Sequence, residues 1–480
     1  MAKLIKLTKE LLDRQALGTL RALGRVVGIK SPTSKAKSVL IEEILLMQKS
    51  GVCFTNSNKG APVKSKVDLS EFYVKEEFPM AYDRSLDTFT YEETNDIYKD
   101  VRVLTFEDNE PVFETSGLIE VFPAGFAFIR TNQYECSDND SHISPEIMAK
   151  FNLRAGDKVK ALAKRCKDQK APSVIDILEL NSFPIDFVGE RKNFDELTSC
   201  YPEKRFNIGK DDDLTLKTID LIAPIGKGQR AIIVAPPKTG KTTIIKKLAQ
   251  SLLKNHNGTK IFILLIDERP EEVTDLKRSV HAEVVHSTFD ESSDHHVRAA
   301  EMVLSRAKRI AETGSDVIIL LDSLTRLTRA YNDKTETSGK TLSGGIESEA
   351  LKKVKKFFGS ARNIVEGGSL TIIATAMVGL GGKFEDFVYE ELKGTGNMEL
   401  TLSRELSDMR IFPAIDVNKS GTRREELLFT EEEQKAVNKL RRVLAGRRDS
   451  ATVLLNVLDK CTSTEDFVKN VDTLLAPYRV

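Results

Sequence analysis

Apolar positions change their spacing several times along this chain, and the changes divide it. Over residues 1–49 they recur at helical intervals, through Leu11, Leu12, Leu17, Leu20 and Leu23 and later Leu40, Ile44 and Leu45. A break at Gly28-Ile-Lys-Ser-Pro-Thr33 predicts a small helical bundle there. Over residues 50–114 the pattern dissolves into a Ser/Asn/Gly/Lys stretch and then an acidic, aromatic one, read as an insertion or linker. Short strand-like runs then recur with turns between them: Gly117–Phe122, Ala127–Arg130, Lys158–Ala163 and Val174–Leu178. Their spacing predicts a five-stranded barrel of OB type over 115–181. After a connector at 182–217, buried-strand runs at Ala231–Val234, Ile261–Ile266, Val317–Leu321, Thr371–Ala376 and Arg410–Ile415 alternate with helical segments over 218–480. That alternation predicts a mostly parallel sheet with helices on both faces.

The first strand of that sheet runs into the stretch with the most chemistry, Val234-Ala-Pro-Pro-Lys-Thr-Gly-Lys-Thr242. A tight loop between a strand and a helix turns successive backbone N–H groups inward, and the helix adds its positive end, so the loop suits phosphate. Pro236, Pro237, Lys238, Thr239, Gly240 and Thr243 shape or line it. Lys241 is expected on the β/γ-phosphates of ATP, and the Thr242 hydroxyl on Mg²⁺. Ala235 stands where the common phosphate-loop pattern has its first glycine.

Further elements fit this loop in order. Ile261–Ile266 ends in Asp267-Glu268-Arg269, and ligands gather at the carboxyl ends of such strands. Glu268 is the candidate general base for the attacking water. Val317-Ile-Ile-Leu-Leu-Asp322 has the Walker B form, with Asp322 holding Mg²⁺ through water. Arg326, Arg329, Arg410 and Arg423 follow strands and can stabilise charge on a γ-phosphate; Arg423, in Asn418-Lys-Ser-Gly-Thr-Arg423, is the candidate to act from a neighbouring subunit. The glycine-rich loops 337–345 and 378–383 each carry a lysine, which suits contacts to a threaded strand or simple turn-making.

In the barrel, Phe126, Phe128 and Arg130 alternate onto one face of one strand. The face is either a platform for single-stranded bases or the barrel interior; Arg130 and the nearby Lys150, Arg154, Lys158 and Lys160 favour the platform.

Composition narrows the setting. Of 480 residues 30% are charged and 40% hydrophobic, and no apolar run approaches the ~20 residues of a membrane span. With no signal-peptide pattern at the start, a cytoplasmic location is expected and no membrane partner. The five cysteines are scattered without a Cys-x-x-Cys pair, which argues against a disulfide framework or a zinc site. Basic and acidic residues number 72 each, yet residues 1–49 carry ten basic and four acidic side chains while residues 68–110 carry four and thirteen. Neutrality overall therefore leaves room for a local basic surface that meets nucleic acid. The acidic stretch is read first as a flexible insertion, with competition against nucleic acid for the barrel's basic face as the second expectation.

Taken in order, Ala235–Thr242, Leu265–Thr274, Leu320–Arg326, Lys393-Gly-Thr-Gly-Asn-Met-Glu399 and Ser420–Arg423 resemble the bacterial transcription termination factors of the Rho family. The resemblance implies a multidomain α+β protein: an N-terminal helical bundle, an OB-type barrel and a C-terminal RecA-like α/β ATPase domain. It implies an RNA-dependent ATPase and 5'-to-3' translocase, working as a homohexameric ring on single-stranded RNA and the RNA polymerase elongation complex. It implies that Lys238, Lys241 and Thr242 meet phosphate and Mg²⁺, that Glu268 is catalytic, and that Asp322 is the Walker B aspartate. Arg423 is the trans-acting arginine, Arg269, Arg326 and Arg410 surround the nucleotide, and Phe412 stacks on adenine. Lys340 and Ser343 fall in the first pore loop, Lys383 in the second, and Phe126, Phe128 and Arg130 in the primary RNA site. Two positions depart from many relatives: His142 and Ala171 replace tyrosines of that site, which puts their pyrimidine preference in doubt. A rotary or export ATPase, and an RNA-binding regulator with a vestigial motor, are the alternatives; the first lacks a use for the barrel, the second for an intact catalytic set.

Overall fold

The computed structural model describes residues 112–132, 134–165, 171–189, 191–336, 341–379 and 381–478, with residues 12, 17, 20, 35–41 and 44 nearer the start. Most of the expected helical bundle, the insertion up to residue 111 and Lys340 lie outside the described residues; Leu12, Leu20, Leu40 and Ile44 within that bundle are helical and buried. The chain divides into Met1–Phe78 and Pro79–Val480, and the barrel and the α/β domain share the second unit.

The barrel is formed by β1 (Val112–Val121), β2 (Ala127–Arg130), β3 (Ser141–Ile143), β4 (Lys158–Lys164), β5 (Ser173–Leu180) and the short β6 (Phe183–Pro184), with helix α1 (Pro145–Lys150) after β3. The order β3-β2-β1-β4-β5-β6 closes on itself where His142 pairs with Ser173. Alternation decides which side chains enter: Ala127 and Ile129 fill the interior with Ile119, Ile143, Val159, Ala161, Val174 and Ile177. Their neighbours Phe126 and Phe128 are half-exposed, so the interior reading of that pair is excluded. Strand β1 starts at Val112, so the barrel takes in three residues assigned to the insertion, and the three-residue β3 is too short to have left a pattern.

The α/β domain holds a sheet in the order β10-β9-β11-β15-β8-β16-β17. Its strands are β8 (Arg230–Ala235), β9 (Lys260–Glu268), β10 (Glu283–Thr288), β11 (Asp316–Asp322), β15 (Ser369–Met377), β16 (Met398–Thr401) and β17 (Gly421–Thr422). All neighbours from β10 to β16 in that order run parallel, and β17 is antiparallel to β16. The short β7 (Ser199–Cys200) and β14 (Arg362–Ile364) extend the start of β15, and β12 (Thr341–Leu342) with β13 (Ile346–Glu347) forms a separate hairpin.

Strict alternation splits the sheet's side chains between two cores. Ile232, Val234, Phe262, Leu264, Ile319 and Leu321 face helices α5 (Ser293–Glu312), α6 (Leu324–Lys334), α7 (Ser348–Gly359) and α8 (Lys383–Lys393). Ala231, Ile233, Ala235, Ile261, Ile263 and Leu265 face α2 (Leu214–Ile222), α3 (Lys241–Asn255) and α4 (Pro270–Ser279). Both faces are thus covered, as near-continuous apolar strands require. A short α9 (Arg404–Asp408) follows β16, and α10 (Glu431–Leu444), α11 (Ser450–Leu458) and α12 (Thr464–Leu475) close the domain around Leu221 and Ile222.

One expected strand is absent. Residues 410–415 form a turn touched only by an isolated bridge from Leu402 to Ile415. Arg410 adopts φ 61°, and Pro413 has no N–H to give a ladder, so the apolar run cannot extend. Strands β10 and β16 were missed because each is short and part-polar.

The barrel sits on α5. Gly156 comes so close that a Cβ there would lie 2.3 Å from the Ser305 carbonyl carbon, at φ 83°. Arg306 donates to Asn181 Oδ1 at 2.5 Å, Tyr134 OH to Glu283 Oε1 at 2.5 Å, and Arg298 to both oxygens of Glu120 at 2.7 and 2.9 Å.

Candidate nucleotide and nucleic-acid sites

The phosphate loop leaves the buried end of β8 and enters α3, whose face Ile244, Ile245, Leu248, Ala249 and Leu252 anchors it to the core. Gly240 caps the helix at φ 89° and Lys238 holds φ 65°, the left-handed turns that aim successive N–H groups inward. Thr239 is buried and donates to the Pro236 carbonyl at 2.7 Å. Two groups that sequence reading passed over brace the outside: Arg404 donates to the Pro237 carbonyl at 2.9 Å and Ser407 to that of Lys238 at 2.8 Å. Thr243, one turn on, is exposed.

Parallel neighbours bring the ends of β9 and β11 beside this loop. Lys241 Nζ lies 2.5 Å from Asp322 Oδ1 and 3.7 Å from Glu268 Oε2. Thr375 Oγ1 donates to the same Asp322 oxygen at 2.9 Å, a partner with no sequence signal beyond its place on β15. Thr242 Oγ1 lies 3.3 Å from Glu272 Oε2 on α4. Arg326 Nη1 approaches Glu268 Oε2 at 3.1 Å and also meets the Asp267 carbonyl. Burial, then the charge of Asp322, pushes the Glu268 carboxyl above the usual range, against the pull of Lys241 and Arg326. Its Oε2 is buried without a hydrogen bond. Hydroxyl and carboxylate oxygens beside a phosphate loop are the hard donor set that suits Mg²⁺; among the described residues no group of three or more His, Cys, Asp or Glu side chains forms a metal cage. Arg269, Arg410 and Phe412 are exposed around this end of the sheet.

Arg423 is elsewhere. Strand β17 pairs antiparallel, Met398 with Thr422, so the chain leaves it at the amino ends of the parallel strands. Arg423 N donates to the Asn397 carbonyl at 2.8 Å, and Asn397 in turn bonds Arg230, the first residue of β8. The phosphate loop begins at the other end of β8, about 16 Å away at a strand's rise per residue. Arg423 and Lys241 of one chain therefore face opposite ends of the sheet. Arg423 lines a cleft of about 500 Å³ with Lys393, Asn397, Glu399, Lys419 and Arg441.

Ser343 and Lys383 do converge. A Cβ on Gly344 would stand 3.0 Å from the Lys383 carbonyl, so the β12–β13 hairpin rests on the start of α8, and both side chains are exposed. Asn332 of α6 holds this hairpin through Gly345 O and Glu347 N. Arg329, also of α6, pairs with Glu385 of α8 at 2.8 Å.

On the barrel, a tight turn at Gly125 (φ 85°) folds Phe126 back on Phe122, their rings stacked at 5.2 Å and 9°. Phe128 meets both edge-on, at 6.0 and 5.9 Å, and His142 packs 5.5 Å from Phe126 and 5.6 Å from Phe128. The cluster thus has four rings, among them His142 and Phe122, which sequence reading passed over. Arg130 differs from expectation. Only 7% exposed, its guanidinium lies against Phe122 and Phe128 and pairs with Glu120 and Asp140 at 2.5 and 2.7 Å. It braces the rings, because the carboxylates of Glu120 on β1 and Asp140 just before β3 claim its donors. Arg154 likewise turns away, to Glu312 and to the carbonyls of Arg191 and Lys192.

Comparison with known proteins adds the following. Residues 115–186 match the family profile of the Rho termination factor, RNA-binding domain, and residues 215–422 that of the ATP synthase alpha/beta family, nucleotide-binding domain. The chain is similar to transcription termination factor Rho of Thermotoga maritima, at 49% identity over 76% of this chain and 87% of that protein. It is 47% identical to the Rho factor of Borreliella burgdorferi, over 80% of this chain and 75% of that one. The Escherichia coli factor matches at 46% over 73% and 86%.

Proposed function

The chain belongs to the family of transcription termination factor Rho, and we propose that it is an RNA-stimulated ATP hydrolase whose turnover drives RNA through a ring of six copies and so releases the transcript from RNA polymerase, in the cytoplasm. One observation carries this reading. A single compact unit holds an outward-facing aromatic platform and a phosphate loop, with Arg423 at the far end of the sheet from that loop. The platform gives RNA a place to stack, and the split set gives ATP a place between copies. Among the described residues no helix is long and apolar enough to cross a membrane.

ATP sits on the loop from Pro236 to Thr243, its β/γ-phosphates met by Lys241 and its adenine by Phe412. Thr242 and Asp322 would hold Mg²⁺, which would supply neutralising charge on those phosphates. Glu268, kept basic by burial and by Asp322, takes a proton from the attacking water. Arg269, Arg326 and Arg410 surround the phosphates, and Arg423 of the adjacent copy meets the charge that grows on the γ-phosphoryl group. Geometry also supports a route from hydrolysis to movement. Helix α6 leaves the strand that ends in Asp322, and its Asn332 and Arg329 grip the hairpin of Ser343 and the helix of Lys383. A change at Asp322 is thereby transmitted to both RNA loops, Lys340 included by its place in the first. Domain limits follow the same roles: bundle 1–49, insertion 50–111, barrel from 112, connector, and motor from 214 onward.

The test is ATPase rate against a panel of homopolymeric RNAs. Turnover that rises with single-stranded RNA supports the reading, and turnover indifferent to every RNA overturns it.

A further inference from the structure

The segment Lys393-Gly-Thr-Gly-Asn-Met-Glu399 carries no role in the mechanism above, yet Asn397 is a polar junction that joins Gln229, Arg230 and Arg423 at its end of the sheet. Its side-chain Oδ1 accepts from Gln229 Nε2 at 2.7 Å and from the Arg230 N–H at 2.8 Å. Its backbone N–H donates to Arg230 O at 3.0 Å, and its carbonyl accepts from the Arg423 N–H at 2.8 Å and from Gln229 Nε2 at 3.2 Å. Gln229 is fully buried, and its own Oε1 accepts from the Gly226 N–H, so the junction is built into the floor of the domain.

The loop that presents Arg423 is pinned at every step before it. Asp416 Oδ1 accepts from the N–H groups of Asn418 and Lys419. Ser420 Oγ accepts from the Thr401 N–H and donates to Asp416 O, and Thr422 Oγ1 donates to Pro224 O at 2.7 Å. At Arg423 itself the backbone is held by Asn397, while the exposed side chain looks into the cleft. A long arginine delivers charge to one phosphate oxygen only if its Cα is fixed, because displacement near 1 Å at a reacting centre costs on the order of 10²-fold.

We propose that Asn397 is the positioning residue of the trans-acting arginine: it fixes the Arg423 backbone against the start of β8, so that the guanidinium reaches the phosphate held by the adjacent copy. This rests on the intersubunit reading of Arg423 given above. The competing assignment is that Asn397 serves the phosphate loop of its own chain. Its contacts are all at the Arg230 end of β8, whereas that loop leaves the Ala235 end.

A double-mutant cycle in the full-length protein separates these. R423A is expected to lower RNA-stimulated kcat by about 10³–10⁵-fold. N397A lowers it by up to about 10²-fold, with the affinity for a fluorescent ADP analogue unchanged, and adds nothing in the R423A background. N397D keeps an acceptor for Gln229 and Arg230 and recovers most of the loss; thermal melting checks that each variant is folded. A further drop in the double variant, or an ADP affinity that falls with kcat in N397A, overturns the proposal. So does N397D falling as far as N397A, or N397A turning over normally beside a crippled R423A. An R423A protein with full turnover overturns the intersubunit reading itself, and the role of Asn397 with it.

Discussion

The barrel and the motor build their sites in opposite ways. On the barrel, Phe122, Phe126 and Phe128 come from one hairpin and His142 from the strand beside it, so the platform is complete within one chain. In the motor, Lys241 opens α3 while Glu268 and Asp322 end β9 and β11, three segments far apart in sequence, and Arg423 is turned to the other end of the sheet. A binding surface can be local and finished, because stacking needs only flat rings and a rigid floor. On the proposed intersubunit reading the catalytic set is left incomplete in one chain, so that turnover depends on how the copies meet.

If this contrast is right, damage to the two regions has different signatures. Of the variants that tell the two regions apart, Glu268→Gln, which keeps the shape but removes the base, has the largest expected effect. RNA-stimulated turnover should fall by about 10²–10⁴-fold, while RNA affinity measured by anisotropy stays unchanged; a coupled loss of both would merge the two sites. Phe128→Ala comes next. It should weaken binding of a short single-stranded RNA by about 1–3 kcal/mol, and turnover should return as RNA concentration is raised.

Smaller still is Arg298→Gln, which cuts the tie between α5 and Glu120. Burial opposes ionisation of Glu120, yet Arg298 and Arg130 hold its carboxyl below the usual range, so both arginines contribute to the junction. Losing one should cost about 1 kcal/mol of stability and raise the RNA concentration needed for half-maximal ATPase, leaving the barrel's own affinity intact. Equal ATPase activation curves for variant and parent would show that the regions work without this link.

The smallest effect lies within the motor but away from its site, on α2, and serves as a control. Asp220 is almost fully buried, and burial raises its carboxyl to about 6, against Arg205 and the Thr464 hydroxyl. A raised acid favours the folded state when protonated. Its contribution is therefore full below the unfolded value near 3.8 and is lost as pH rises through about 6. Asp220→Asn should flatten the fall in melting temperature across that window without touching RNA binding; an unchanged profile would remove Asp220 as its cause.

Sequence by itself settled whatever depends on neighbours along the chain. The strand–loop–helix of Ala231–Ala249, the apolar strands ending in Glu268 and Asp322, and the alternation of Phe126 with Phe128 were all legible, because backbone periodicity and loop chemistry act over a few residues. The Rho family followed from several such segments in order, and the matched RNA-binding profile at 115–186 set aside the rotary and export alternatives. Tertiary structure alone decided the rest. Which face of β2 is inside depended on barrel closure at His142 and Ser173. Arg130 became a brace because Glu120 and Asp140, distant by ten residues on either side, converge on it. Residues 410–415 turned instead of pairing, since one left-handed residue and one proline outweigh an apolar run. Arg423 lies opposite its own phosphate loop because a single two-residue strand runs antiparallel. Strand direction and ion-pair partners are set by contacts between distant segments, and no local spacing encodes them.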